Sequence, residues 1–112
     1  MVTELVISGI VVDRSLAEVR RAEGIARDKT LCLPDRVQSI KKAVFMDSKV
    51  SSVLVPANCR NIEEKAFSNC RGLKKVMLPE GLESIGEGCF EGSGLEEIVI
   101  PKSVQKIDEH AF

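Results

Sequence analysis

Four thiols and one imidazole are the side chains of this 112-residue chain with the most chemistry to offer. Cys32, Cys59, Cys70 and Cys89 make an even count, so two disulfides are arithmetically open. No Cys-x-x-Cys pair is present, and the single histidine, His110, cannot complete a usual zinc finger. The favoured reading is four free thiols used as small hydrophobes, since cysteine is commonly buried without a bridge. His110 as a catalytic base would need an ordered nucleophile and a third orienting group, and neither is identifiable. Glu63-Glu64 and Glu96-Glu97 are sequence neighbours, which face opposite ways in an extended segment and make poor acid/base pairs. Gly86, Gly88, Gly92 and Gly94 are spaced as turns and not as a phosphate-cradling loop. The expectation is a noncatalytic chain without cofactor or metal.

Composition narrows the partner class. Lys plus Arg is 16, Asp plus Glu is 17, and the formal charge is −1, which argues against a strongly basic nucleic-acid binder. Trp and Tyr are absent, which removes the usual stacking platforms for bases or sugars. A hydrophobic share of 44% argues for a packed core over disorder, in a chain the size of one small domain. No apolar run approaches the roughly 20 residues a membrane-spanning helix needs, so membrane insertion is not expected. The first charge is Glu4, and Ser8 and Gly9 interrupt the apolar stretch from Leu5 to Val12, so no convincing export signal is legible. An upstream signal removed from the chain would leave the same pattern. No Asn-x-Ser/Thr site hints at secretion.

The elements that must position these residues are set by a repeat. The prolines fall at 34, 56, 79 and 101, and the phenylalanines at 45, 67, 90 and 112. Both series step by 22, 23 and 22, and each Phe follows its Pro by 11. Ile40, Ile62, Ile85 and Ile107 hold the sixth position after each Pro, and Val37, Cys59, Leu82 and Val104 the third. Before each Pro an apolar pair flanks one residue, as in Val76-Met77-Leu78, the period-two signature of a short strand. Pro then ends the strand, since it cannot donate to a continuing ladder. A tight helical turn is expected near Gly88-Cys89-Phe90. One such coil cannot cover its own apolar side, but stacked coils share a core. A period of 22 to 23 lies in the leucine-rich-repeat range.

The run Ile62-Glu-Glu-Lys-Ala66-Phe67-Ser-Asn-Cys70-Arg-Gly-Leu73-Lys-Lys-Val76-Met-Leu78-Pro79 resembles the BspA-type leucine-rich repeat. The resemblance covers residues 30–112. It implies an α/β solenoid of about four coils with a parallel β ladder, and adhesion or protein binding at a cell surface. A cytoplasmic address also stays open. The cysteine after the Ala-Phe pair is present at Cys70, but neighbouring units carry Ser48 and Ser93.

Residues 1–29 do not fit the register and read as a cap of strand plus short helix. Leu5 to Val12 is rich in β-branched residues and suits a strand or hairpin. Ser15-Leu-Ala-Glu18 reads as a capping box, with Leu16, Val19 and either Ala22 or Glu23 continuing at helical spacing to Gly24.

The expected functional surface is the outward column two residues before each Pro: Cys32, Leu54, Met77 and Val99. All four are apolar where polar residues would ordinarily face water, and such a stripe marks an interaction surface. Ser52, Lys75 and Glu97 on the same face form a mixed polar rim. The plainer alternative is strand propensity with cover from long neighbouring side chains. Cys59 and Cys89 are expected in the core, and Cys32 outward. On the far side, Lys41-Lys42 give way to Glu63-Glu64, Gly86-Glu87 and Asp108-Glu109. This gradient reads chiefly as a solvated face, with head-to-tail association as its functional alternative. The chain stops at Phe112, halfway through a repeat, which fits either a trimmed end or an end that stacks on another subunit. Two functions therefore compete: a module that captures a protein partner on its strand face, and an assembly unit that self-associates.

Overall fold

The computed structural model describes residues 4–7, 10–13, 18–22 and 30–112. The described strands are β1 (Glu4–Ile7), β2 (Ile10–Asp13), β3 (Glu18–Ala22), β4 (Thr30–Cys32), β5 (Ser39–Ile40), β6 (Ser52–Leu54), β7 (Asn61–Ile62), β8 (Lys75–Met77), β9 (Ser84–Ile85) and β10 (Lys106–Ile107). They form two sheets, ordered β4-β6-β8 and β1-β2-β3-β5-β7-β9-β10. The solenoid expectation holds: the first three coils each lay one short parallel rung on each sheet, and the fourth adds β10 to the larger one.

The coil is built from a few repeated turns. After each Pro, an amide three residues on donates back to the proline carbonyl, as in Val37 to Pro34 at 3.0 Å and Cys59 to Pro56 at 3.0 Å. That turn aims Val37, Cys59 and Leu82 inward, each fully buried. The next rung carries Ile40, Ile62 and Ile85 into the core. The chain then folds through a left-handed residue, at Ala43, Lys65, Gly88 and His110, with φ between 56° and 61°. A second such column follows at Asp47, Asn69 and Gly92. These conformations disfavour L residues with side chains, so their cost must be offset elsewhere. The offset is visible as bonds between coils: Phe45 N–H to Ala66 O at 2.8 Å, Phe67 to Cys89 at 2.9 Å and Phe90 to Ala111 at 2.7 Å. The helical turn expected near residue 88 is this folded corner, closed by three-residue bonds such as Cys89 to Gly86 at 3.2 Å. At Gly86 the backbone of the previous coil comes so close that a Cβ would sit 2.6 Å from the Glu64 nitrogen.

The phenylalanine register becomes a column of stacked rings. Centroids are 5.1 Å apart for Phe45–Phe67, 5.4 Å for Phe67–Phe90 and 5.6 Å for Phe90–Phe112, with interplanar angles of 4° to 10°. Near-parallel rings at this spacing add to the area they bury.

The helix expected within the N-terminal segment is corrected. Residues 18–22 form strand β3, and no helix occurs among the described residues. β3 pairs antiparallel with β2 and parallel with β5, so it stitches the segment onto the first coil. Two ladders outweigh the local helical spacing of Leu16, Val19 and Ala22, because strand preference follows from pairing and packing context. β1 and β2 pair antiparallel, as a hairpin reading of Leu5 to Val12 requires. Ser15, Leu16, Glu23 and Gly24 lie outside the described residues.

Candidate binding face

The three-stranded sheet places the expected surface residues in rows. Pairing aligns Cys32 with Leu54 and Met77, and Thr30 with Ser52 and Lys75. The inward row is Leu31, Val53 and Val76, all buried. Alternation along each rung therefore sends Cys32, Leu54 and Met77 outward. Leu54 is 41% exposed and Met77 46%, high values for large apolar side chains on a sheet face. Ser52 is half-buried, while Lys75 and Glu97 are exposed.

The fourth coil departs from the pattern. Val99, at 83% exposure, and Glu97 lie outside any strand. Among the described residues, no backbone hydrogen bond joins Leu95–Ile100 to β8. The rest of that coil is docked: β10 pairs in register with β9, and the Asp108 amide donates to Ile85 O at 3.0 Å. The coil is thus zipped along one sheet and open along the other. The opening is a groove of about 570 Å³ lined by Lys74 to Leu78 on one side and Glu97 to Val99 on the other, closed by Glu80 and Pro101. Lys75, Met77, Glu97 and Val99 meet at this groove, whereas Cys32, Leu54 and Ser52 lie along the continuous part of the sheet. Sequence reasoning missed the groove, because Glu97-Ile-Val-Ile100-Pro carries the same signature as the closed rungs.

The thiols divide as expected. Cys32 is exposed, and Cys59 and Cys89 are buried. Cys70 is buried too, with its Sγ donating to the Phe45 carbonyl at 3.0 Å. Loss of hydration on burial raises the thiols of Cys59 and Cys70 to about 11 and that of Cys89 to about 12. A nucleophilic role needs the opposite shift, toward thiolate.

On the other sheet the basic and acidic pairs meet. Lys41 lies 3.2 Å from Glu63 and Lys42 3.4 Å from Glu64, so the charge gradient is partly spent between adjacent coils. A smaller pocket of about 300 Å³ sits between Glu63, Glu64, Glu87, Lys106 and Asp108. Among the described residues no His/Cys/Asp/Glu group is arranged to hold a metal ion. His110 is exposed at its left-handed corner.

The family model described as a BspA-type leucine-rich repeat region of six copies matches residues 24–112. The chain belongs to the BspA-type leucine-rich repeat family. Its fold recurs in solved bacterial structures. The pneumococcal vaccine antigen PcpA superposes with a TM-score of 0.90 at 18% identity, over 97% of this chain and 27% of that one. A leucine-rich repeat protein from Bacteroides capillosus gives 0.85 at 23% identity, over 96% and 88%. The T. pallidum leucine-rich repeat protein gives 0.73 at 26% identity, over 80% and 44%. The BspA-type chain thus spans about a quarter of the pneumococcal antigen and most of the Bacteroides protein. No curated protein sequence matches it. Membership marks it as a repeat module of the protein-interaction or surface kind.

Proposed function

We propose that this BspA-type module is a noncatalytic binder that captures a protein partner on the face of its three-stranded sheet. In this reading residues 1–29 cap the first coil, and Cys32, Leu54, Met77 and Val99 form the contact stripe. Ser52, Lys75 and Glu97 form its polar rim. The observation that carries the reading is the in-register outward row ending in Leu54 and Met77, each more than two-fifths exposed. Apolar residues gathered on a water-facing sheet serve an interface better than they serve stability. The double variant Leu54→Asp/Met77→Asp is expected to abolish capture of the natural partner while leaving the far-ultraviolet spectrum and melting temperature close to those of the parent. Unchanged capture would move the interface elsewhere.

A second reading rests on the last coil, where Ile107 is 46% and Phe112 53% exposed beside the open edge of β10. An edge strand with adjoining exposed apolar side chains is a surface that a second copy could cover. Light scattering over a concentration series tests it: self-association raises the weight-average mass, and a strict monomer ends the idea.

A further inference from the structure

We infer that the groove between β8 and Glu97–Ile100 accepts an extended segment of the partner, added to the sheet as a parallel strand. The inference rests on the strand-face reading and specifies the chemistry of what is captured. Its first support is the direction of the groove. A pocket over a sheet face touches alternate residues, whereas this one touches every residue from Lys74 to Leu78 and from Glu97 to Val99. It therefore runs along the edge of β8.

The second support is the backbone it exposes. The Val55 amide donates to the Met77 carbonyl at 3.1 Å, which turns the Met77 backbone groups toward β6. Polar groups of successive strand residues alternate sides, so the Val76 N–H and C=O point into the groove. An unpaired edge of this kind is a template for another strand.

The third support is the chemistry of the neighbouring rows. An added strand would lie between Lys75 and Glu97, between Val76 and Ile98, and between Met77 and Val99. A position held between a cation and a carboxylate suits an uncharged side chain that both accepts and donates, such as Gln or Thr. The next position points into the core and suits a β-branched residue, and the third extends the outer stripe and suits an apolar one. The chain's own closed rungs, Ser52-Val53-Leu54 and Lys75-Val76-Met77, follow the same plan of polar, inward apolar, outward apolar.

The probe is the pentapeptide acetyl-Thr-Gln-Val-Leu-Thr-amide, titrated into the whole chain and followed by amide nuclear magnetic resonance. Saturable shifts are expected at Val76 and at Glu97–Ile100, with slower exchange of the Val76 amide on binding. The same peptide N-methylated at Leu loses its bond to the Val76 carbonyl, and its affinity is expected to fall at least tenfold. Leu54→Asp, which lies one rung away, is expected to leave peptide uptake intact. Loss of natural-partner capture with peptide uptake retained therefore separates the stripe reading from this one. Three results overturn the inference: no saturable shifts, equal binding of the N-methylated peptide, or a Val76 amide already protected in the free chain. The last result means that Glu97–Ile100 itself closes the gap.

Discussion

Replacing Phe67 with alanine is expected to cost about 3–5 kcal/mol, the usual range for a fully buried Phe. That is a large share of the roughly 5–15 kcal/mol that holds a small domain together. Phe67 has rings on both sides, at 5.1 and 5.4 Å, so truncation leaves a hole between two layers that cannot easily close. The surrounding left-handed corner and its inter-coil bonds hold those layers apart. Phe112→Ala is the control. Its ring stacks on one neighbour, Phe90, and is half exposed, so the expected loss is on the order of 1 kcal/mol. Urea unfolding of both variants measures the contrast. Equal losses would mean that the ring column contributes no more in the middle of the stack than at its end.

The second large effect is chemical and alkaline. At pH 8 a thiol reagent is expected to modify one cysteine quickly in the folded chain, Cys32, and four after unfolding without reductant. Slow modification of the other three follows from burial and from thiols raised to about 11, 11 and 12. The same shifts set a stability window. In the unfolded chain a thiol ionises near its ordinary value of 9.0, whereas the folded chain holds Cys59, Cys70 and Cys89 neutral well above that. The folded state binds more protons in this interval, so stability is fully present below about pH 9 and is lost as pH rises toward 11 to 12. The combined loss by pH 11 is on the order of several kcal/mol. Denaturant midpoints between pH 7 and 11 should fall with that sign. Lysines also titrate there, so Cys59→Val/Cys89→Ala supplies the comparison, using the residues found at the equivalent positions 37 and 66. Its decline should be shallower; an identical slope would assign the effect to other groups.

What was legible in the sequence was whatever the repeat states four times. Pro, Phe and Ile each recur in one register, so the coil, its core columns and the outward row of Cys32, Leu54 and Met77 could be placed without coordinates. The larger sheet was not legible, because its rungs beyond β3 are two residues long. Ser39-Ile40 or Asn61-Ile62 is too short to show an alternation, and only the stacking of successive coils reveals a ladder. β3 was misread for a related reason: Leu16 and Val19 sit at helical spacing, whereas the partners that make Glu18–Ala22 a strand lie on β2 and β5. The open fourth rung left no local sign at all, since Glu97-Ile-Val-Ile100 differs in no residue class from sequences that close.

The bonds that run from coil to coil also govern how such a chain can change length during evolution. Because each layer meets only the layers before and after it, duplicating or deleting one whole unit of 22 or 23 residues keeps every column aligned and merely lengthens or shortens the pile. A deletion of ten residues would instead bring polar corners opposite the phenylalanine rings. Length variants in this family should therefore differ by entire turns of the solenoid, and a gene built this way can extend its binding surface without redesigning its core.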